Sequence, residues 1–248
     1  VSCRATFDHG AVEAHAFAES LIHKAPALGL VPGRMITQKK PRKFVAATFI
    51  ADLDDRSVEH VAIWADRLDG GHAHLYVRDG DSPGIDEYTD RASAIVVAGT
   101  ALSSLLEFLS LCHDHFGLVS ANIAGHGNHR YAQKECIRRG VGEAWDEDTA
   151  RRIEWDAMKW RRARTKLIRL SPITVIGPGL WATLPSMPAF DPMPRITDLG
   201  ACKVLTAWPT LCEPRDPDFL RATRELRRWL WPFTIQNPAD HVDNDPQP

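Results

Sequence analysis

The sequence predicts an α+β fold: a mixed, mainly antiparallel sheet with helices packed on it in one large domain. Three observations predict it. Short β-prone runs separated by turn chemistry succeed one another between Phe44 and Arg78. Stretches of helical periodicity stand on both sides of them, and neither a repeat period nor a regular strand–helix–strand alternation links the two kinds of segment. With 248 residues, 44% of them hydrophobic, the chain can bury one substantial core. The expected domain spans 1–236, with a possible division of its core near 165–172 and a polar tail over 237–248.

Along the chain, Val12, Phe17, Leu21 and Ile22 fall at helical spacing and predict an amphipathic helix over Ala11 to Lys24, ended by Pro26 and Gly29. Arg34 to Lys43 is basic and polar. Phe44 to Ala51, His60 to Asp66 and His72 to Arg78 are each expected as strands of a meander, with DLDDRS and Asp69-Gly70-Gly71 as the turns. Strand alternation puts Leu75 and Val77 on one face and His74 and Tyr76 on the other. An acidic loop follows, then an apolar run over Ala94 to Ala98 and a core helix over Ala101 to Phe116 bearing Leu102, Leu105, Leu106 and Leu109.

Leu118 to Ala124 is the next strand candidate, and helical patterns occupy Arg130 to Arg139 and Asp146 to Arg164. In LIRLSPITVIGPGLWATLPSMPAF, Leu167 to Phe190, a β-rich run meets a Gly-Pro turn and a short Trp-bearing helical turn that proline stops. The stretch SMPAFDPMPR reads as irregular, Cys202 to Trp208 as a strand, and Pro217 to Leu230 as a helix closed by Pro232.

The formal net charge of −2 says little about nucleic acid or membranes, but its distribution is uneven. Eleven acidic residues face three arginines between Asp52 and Asp90, whereas Lys134 to Arg169 holds eleven basic residues against seven acidic. Five scattered cysteines without a CxxC indicate neither a disulfide scaffold nor a zinc ribbon, and a reducing cytoplasm is expected. VSCRATFDHG lacks the pattern of a signal peptide. Ala94 to Cys112 is the only apolar segment near membrane length; Glu107 and three serines inside it fit a strand turning into a buried helix, so no membrane span is expected.

Chemistry-bearing motifs are sparse. Gly177-Pro178-Gly179-Leu180-Trp181-Ala182 formally fits a GxGxxA dinucleotide fingerprint, but Pro185 and Pro188 leave no helix long enough to face a phosphate. His113, His115, His126 and His129, with Cys112 and Cys136 nearby, are a conceivable transition-metal set that would support a metal-dependent hydrolase. Yet residues two apart on a helix diverge, which separates His113 from His115. No GxSxG elbow or phosphate loop occurs, no cofactor is expected, and nucleic acid is disfavoured because Glu154 and Asp156 interleave the arginines of RRIEWDAMKWRRARTK. The features that suit a protein partner are the acidic turns, with Asp54, Asp55, Asp79, Asp81, Asp86 and Glu87 as candidate contacts, and Trp208 as a candidate aromatic anchor.

Taken together, the strand meander, the leucine-rich helix leading into FGLVSANIAGH, the arginine-rich helices and RLSPITVIGPGLWATLP before a final strand–helix unit resemble the bacterial immunity proteins associated with type VI secretion and other polymorphic toxins. The likeness spans about Phe44 to Leu230 and departs at the proline-rich 185–194 connection and at WPTLCEPRDPD, so it carries over no functional residue by position. It implies a non-enzymatic protein that binds a cognate toxin and occludes its active site or substrate path. For a basic toxin, the acidic turns over 52–90 would then steer association.

Overall fold

The computed structural model describes residues 2–7, 14–24, 26, 30–37, 40–55, 60–67, 72–79, 93–97, 102–125, 166–167, 169–212, 216–234 and 242. They form an α+β structure in which the described strand ladders are antiparallel. The chain divides into two compact units, residues 3–118 and residues 119–248. Leu167 and Leu170 are buried in the same cluster as Val119, Leu205 and Phe219. Among the described residues, no helix is long and apolar enough to cross a membrane.

In the first unit the strands are β1 (Ser2–Phe7), β2 (Leu30–Thr37), β3 (Lys40–Lys43), β4 (His60–Arg67), β5 (His72–Asp79) and β6 (Ser93–Val97), in the order β3-β2-β4-β5-β6-β1. Helix α1 (Ala14–His23) packs against α2 (Ala46–Asp54) and α3 (Leu102–Phe116). The strand expected over Phe44 to Ala51 is instead α2. Two adjacent alanines open it, and Phe49 is fully buried with its ring tilted against Phe44 at 5.9 Å, so burial of one side of a helix outweighs the β-prone FVAATFI. The basic stretch before it forms the β2–β3 hairpin, with Arg34 opposite Lys43.

Helix α3 follows its leucine spacing. Leu105, Phe108, Leu109 and Cys112 are buried on one stripe, while Ser103 and Glu107 are exposed. It ends at Gly117, whose φ of 65° only glycine adopts freely and whose N–H donates to the carbonyl of His113 at 2.9 Å.

The second unit contains β7 (Leu118–Ala124), β8 (Ile173–Ile176), β9 (Arg195–Leu199) and β10 (Cys202–Thr206), ordered β7-β8-β10-β9. Every residue of β7 and β8 is buried, which explains why neither alternates in the sequence. The strand β9 emerges where the sequence is proline-rich only up to Pro194; a tight turn with Gly200 at φ 57° then pairs Leu199 with Cys202. The Gly-Pro turn leads into the six-residue α4 (Pro178–Thr183), which stops before Pro185.

The expected helix over Pro217 to Leu230 is two helices, α5 (Pro217–Ala222) and α6 (Arg224–Leu230), separated at buried Thr223. Asp216 caps α5, its carboxylate accepting from the N–H groups of Asp218 at 3.0 Å and Phe219 at 3.1 Å. Leu180, Phe219, Leu226 and Leu230 bring α4, α5 and α6 onto Ile176 and Leu205.

Candidate functional site

The acidic candidates are spread over several element ends. Asp54 is the last residue of α2, and Asp55 follows it, exposed, with its N–H donated to the carbonyl of Ala51 at 3.0 Å. Asp79 is the last residue of β5, in register with His60. Asp81, Asp86 and Glu87 lie outside the described residues. Asp52, from the same acidic run, is mostly buried and forms an ion pair with Arg42 of β3, tying the hairpin to α2.

Of the four histidines, His126 and His129 lie outside the described residues. His113 and His115 leave the end of α3 in different directions. Nδ1 of His113 accepts the N–H of Leu118 at 2.9 Å, while Nε2 of His115 lies 2.9 Å from the hydroxyl of Ser20 on α1. Each fastens a helix end, and the pair does not converge as ligands. Among the described residues, no three His, Cys, Asp or Glu side chains are grouped as metal ligands. Cys112, beside His113, is fully buried; burial, and then the proximity of Cys3 and Asp114, raises its thiol pKa well above the ordinary value, the opposite of an activated nucleophile.

Trp208 is half-buried and held edge-on against the buried ring of Phe219, with centroids 6.5 Å apart at 71°. Its backbone N–H donates to the carbonyl of Pro172 at 3.3 Å. It belongs to one of the two stretches that leave the Arg195–Thr206 end of the β9–β10 ladder. Those stretches and the edge strand β9 carry the exposed apolar residues Met193 (59% exposed), Ile196 and Leu211 (37% each). The backbone of Leu211 and Cys212 is pinned against the end of β7, where the N–H of Gly125 donates to the carbonyl of Cys212 at 2.9 Å. The pattern is a rigid aromatic with exposed aliphatic neighbours in sequence, on fixed backbone.

The Gly-Pro turn has no ligand geometry. The N–H of Gly177 donates to the carbonyl of Val119 at 2.9 Å, and the helix after it is under two turns long. A buried polar knot lies at the other end of β8. Asn122 donates through Nδ2 to the carbonyl of Arg169 at 2.5 Å and to the hydroxyl of Ser171 at 3.1 Å, and the Ser171 N–H donates to Oγ1 of Thr174 at 3.0 Å. These bonds hold the segment before β8 onto β7 and give partners to the Asn122 amide nitrogen, the Ser171 N–H and the Thr174 hydroxyl, which would otherwise be costly to bury.

Sequence reasoning missed the exposed apolar residues around Trp208, because an isolated Met, Ile or Leu carries no surface signal until its strand is known to be an edge. It also missed Arg34 and Lys43 as a cross-strand pair, although the basic stretch itself was visible. No family model, curated protein or solved structure matches the chain.

Proposed function

We propose that the protein is a non-catalytic binding protein of the immunity type, which neutralises a cognate bacterial toxin by covering its active site or substrate path. The observation that carries this reading is the fixed, half-buried Trp208 in the stretch that also exposes Leu211, beside an edge strand exposing Ile196 and, just before it, Met193. A rigid aromatic loses little conformational freedom on binding, and exposed aliphatic residues supply area to bury around it. The acidic residues at 52–90 add a means of steering a basic partner, with Asp55 exposed after α2 and Asp79 at the end of β5.

The test is co-production, in a bacterial host, of this chain with the protein encoded by the adjacent reading frame. The expected result is that a toxic product becomes tolerated and that the two proteins co-elute as a complex. Trp208→Ala combined with Leu211→Ser is expected to weaken that complex by roughly 30-fold or more, the scale of a truncated interface anchor. Undiminished toxicity with no complex overturns the reading.

A further inference from the structure

We propose that the free edge of β9 pairs with the β9 of a second copy of this chain, antiparallel and across a two-fold axis at Thr197. The pairing is independent of toxin binding and follows from the second unit's sheet alone.

β9 closes the order β7-β8-β10-β9, and among the described residues no strand lies beside its outer edge. The ladder behind it fixes which backbone groups that edge presents. The N–H of Ala207, the residue after β10, donates to the carbonyl of Pro172 on the β8 side at 2.9 Å. Backbone groups alternate in direction along a strand, so Cys202, Val204 and Thr206 turn theirs toward β9. Their register partners Leu199, Thr197 and Arg195 turn inward to meet them. The tight Gly200-Ala201 loop requires the same phase, because a two-residue turn is closed by a hydrogen bond between its flanking residues, here Leu199 and Cys202. Ile196 and Asp198 therefore point their N–H and C=O groups outward, to either side of Thr197.

Edge strands are commonly guarded by a bulge, a proline or a lysine. β9 keeps unbroken register with β10 and contains no lysine, and Pro194, just before it, bounds the edge without interrupting it. A second copy fits because the edge is symmetric. In a two-fold pairing, residue i meets j and j meets i. Centred on Asp198, such a pairing sets one carboxylate directly against another. Centred on Ile196, it sets Asp198 against Pro194, which has no N–H to donate. Centred on Thr197, it sets Ile196 against Asp198 of the second copy and Asp198 against its Ile196, so every outward group of both strands finds a partner. Thr197 then meets itself in a non-hydrogen-bonded pair, with Cα atoms about 4.5 Å apart, where Thr–Thr contacts are favourable. The two Asp198 carboxylates lie diagonally across the axis, but each is paired with Lys203 of its own β10, so they do not approach as bare charges. A five-residue ladder is a small contact, at the weak end of interfaces, which bury under about 1,200 Å² in total, so dissociation is expected at about 10–100 µM.

Sedimentation equilibrium of the full chain from about 1 to about 500 µM is expected to show a monomer–dimer equilibrium. Thr197→Lys and Thr197→Glu each set like charges against one another across the axis, and each should weaken self-association about 5-fold. An equimolar mixture of the two should associate more tightly than either alone, a rescue that loss of folding cannot imitate. Ile196→Pro removes an outward N–H while sparing the β10 ladder, and should weaken association by about 10-fold or more. A chain that sediments as a monomer throughout, or that associates equally with and without these substitutions, overturns the proposal. So does a Thr197→Lys and Thr197→Glu mixture that associates no better than its components. Loss of the complex with the co-produced toxin in Ile196→Pro, without self-association of the wild type, assigns the edge to that partner and likewise overturns the second copy as its occupant.

Discussion

Two glycines near the candidate site should respond to the same substitution with opposite signs. A Cβ on Gly125 would stand 2.8 Å from the carbonyl oxygen of Leu211 and 3.2 Å from the carbonyl carbons of Leu211 and Cys212. All three are backbone atoms, so no side chain can rotate away; the segment must move by about half an ångström. Overpacking of this kind costs about 1–3 kcal/mol, and strain on the Gly125 to Cys212 hydrogen bond adds about 0.5–1.5 kcal/mol. Gly179 has nothing within 4 Å of its Cβ position and lies exposed in α4. Alanine there restricts the unfolded chain and stabilises by about 0.5 kcal/mol. Gly125→Ala and Gly179→Ala should therefore differ by about 2–5 kcal/mol, measured by urea denaturation followed through tryptophan emission. Gly125→Ala should also weaken partner binding, because the displaced backbone carries Leu211. A Gly125→Ala protein within about 0.5 kcal/mol of wild type would refute the close-approach argument, and so would a destabilising Gly179→Ala of similar size.

Two further outcomes follow from the interior. Phe219→Ala removes a fully buried ring from the cluster of Leu205, Leu226 and Leu230 and takes away the support of Trp208; an expected loss of about 3–5 kcal/mol is checked by the same denaturation. The thiols of Cys3 and Cys112 are raised by burial, so they are neutral in the fold and ionise first in the unfolded chain. Their contribution is fully present below about pH 8.5 and is lost as pH rises above it, at about 1.4 kcal/mol per pH unit for each thiol. Unfolding measured from pH 8 to 10.5 should fall more steeply for wild type than for Cys3→Ala with Cys112→Ala, and native Cys3 and Cys112 should resist alkylation that proceeds after denaturation.

What could be read from the sequence alone were the features written in local spacing. The leucines of α3, the apolar run of β7, the proline that ends α4 and the Asp-Pro start of α5 each act within a few residues, so their helices and strands appear where those patterns fall. The α+β class follows from their succession. Burial and pairing between distant segments belonged to the tertiary structure. FVAATFI is β-prone by composition, yet it is α2 because Phe49 and Phe44 pack together in the first unit. RITDL becomes a strand because Cys202 to Thr206 offers it a ladder. Likewise, the acidic turns and histidines that stand out by residue type are spread over element ends, whereas Arg34 and Lys43, nine positions apart, become neighbours through the register of one hairpin. Residue type and spacing determine which elements can form. Which side chains share a face is decided by strand pairing and by which surface the helices cover, and no local pattern encodes that choice.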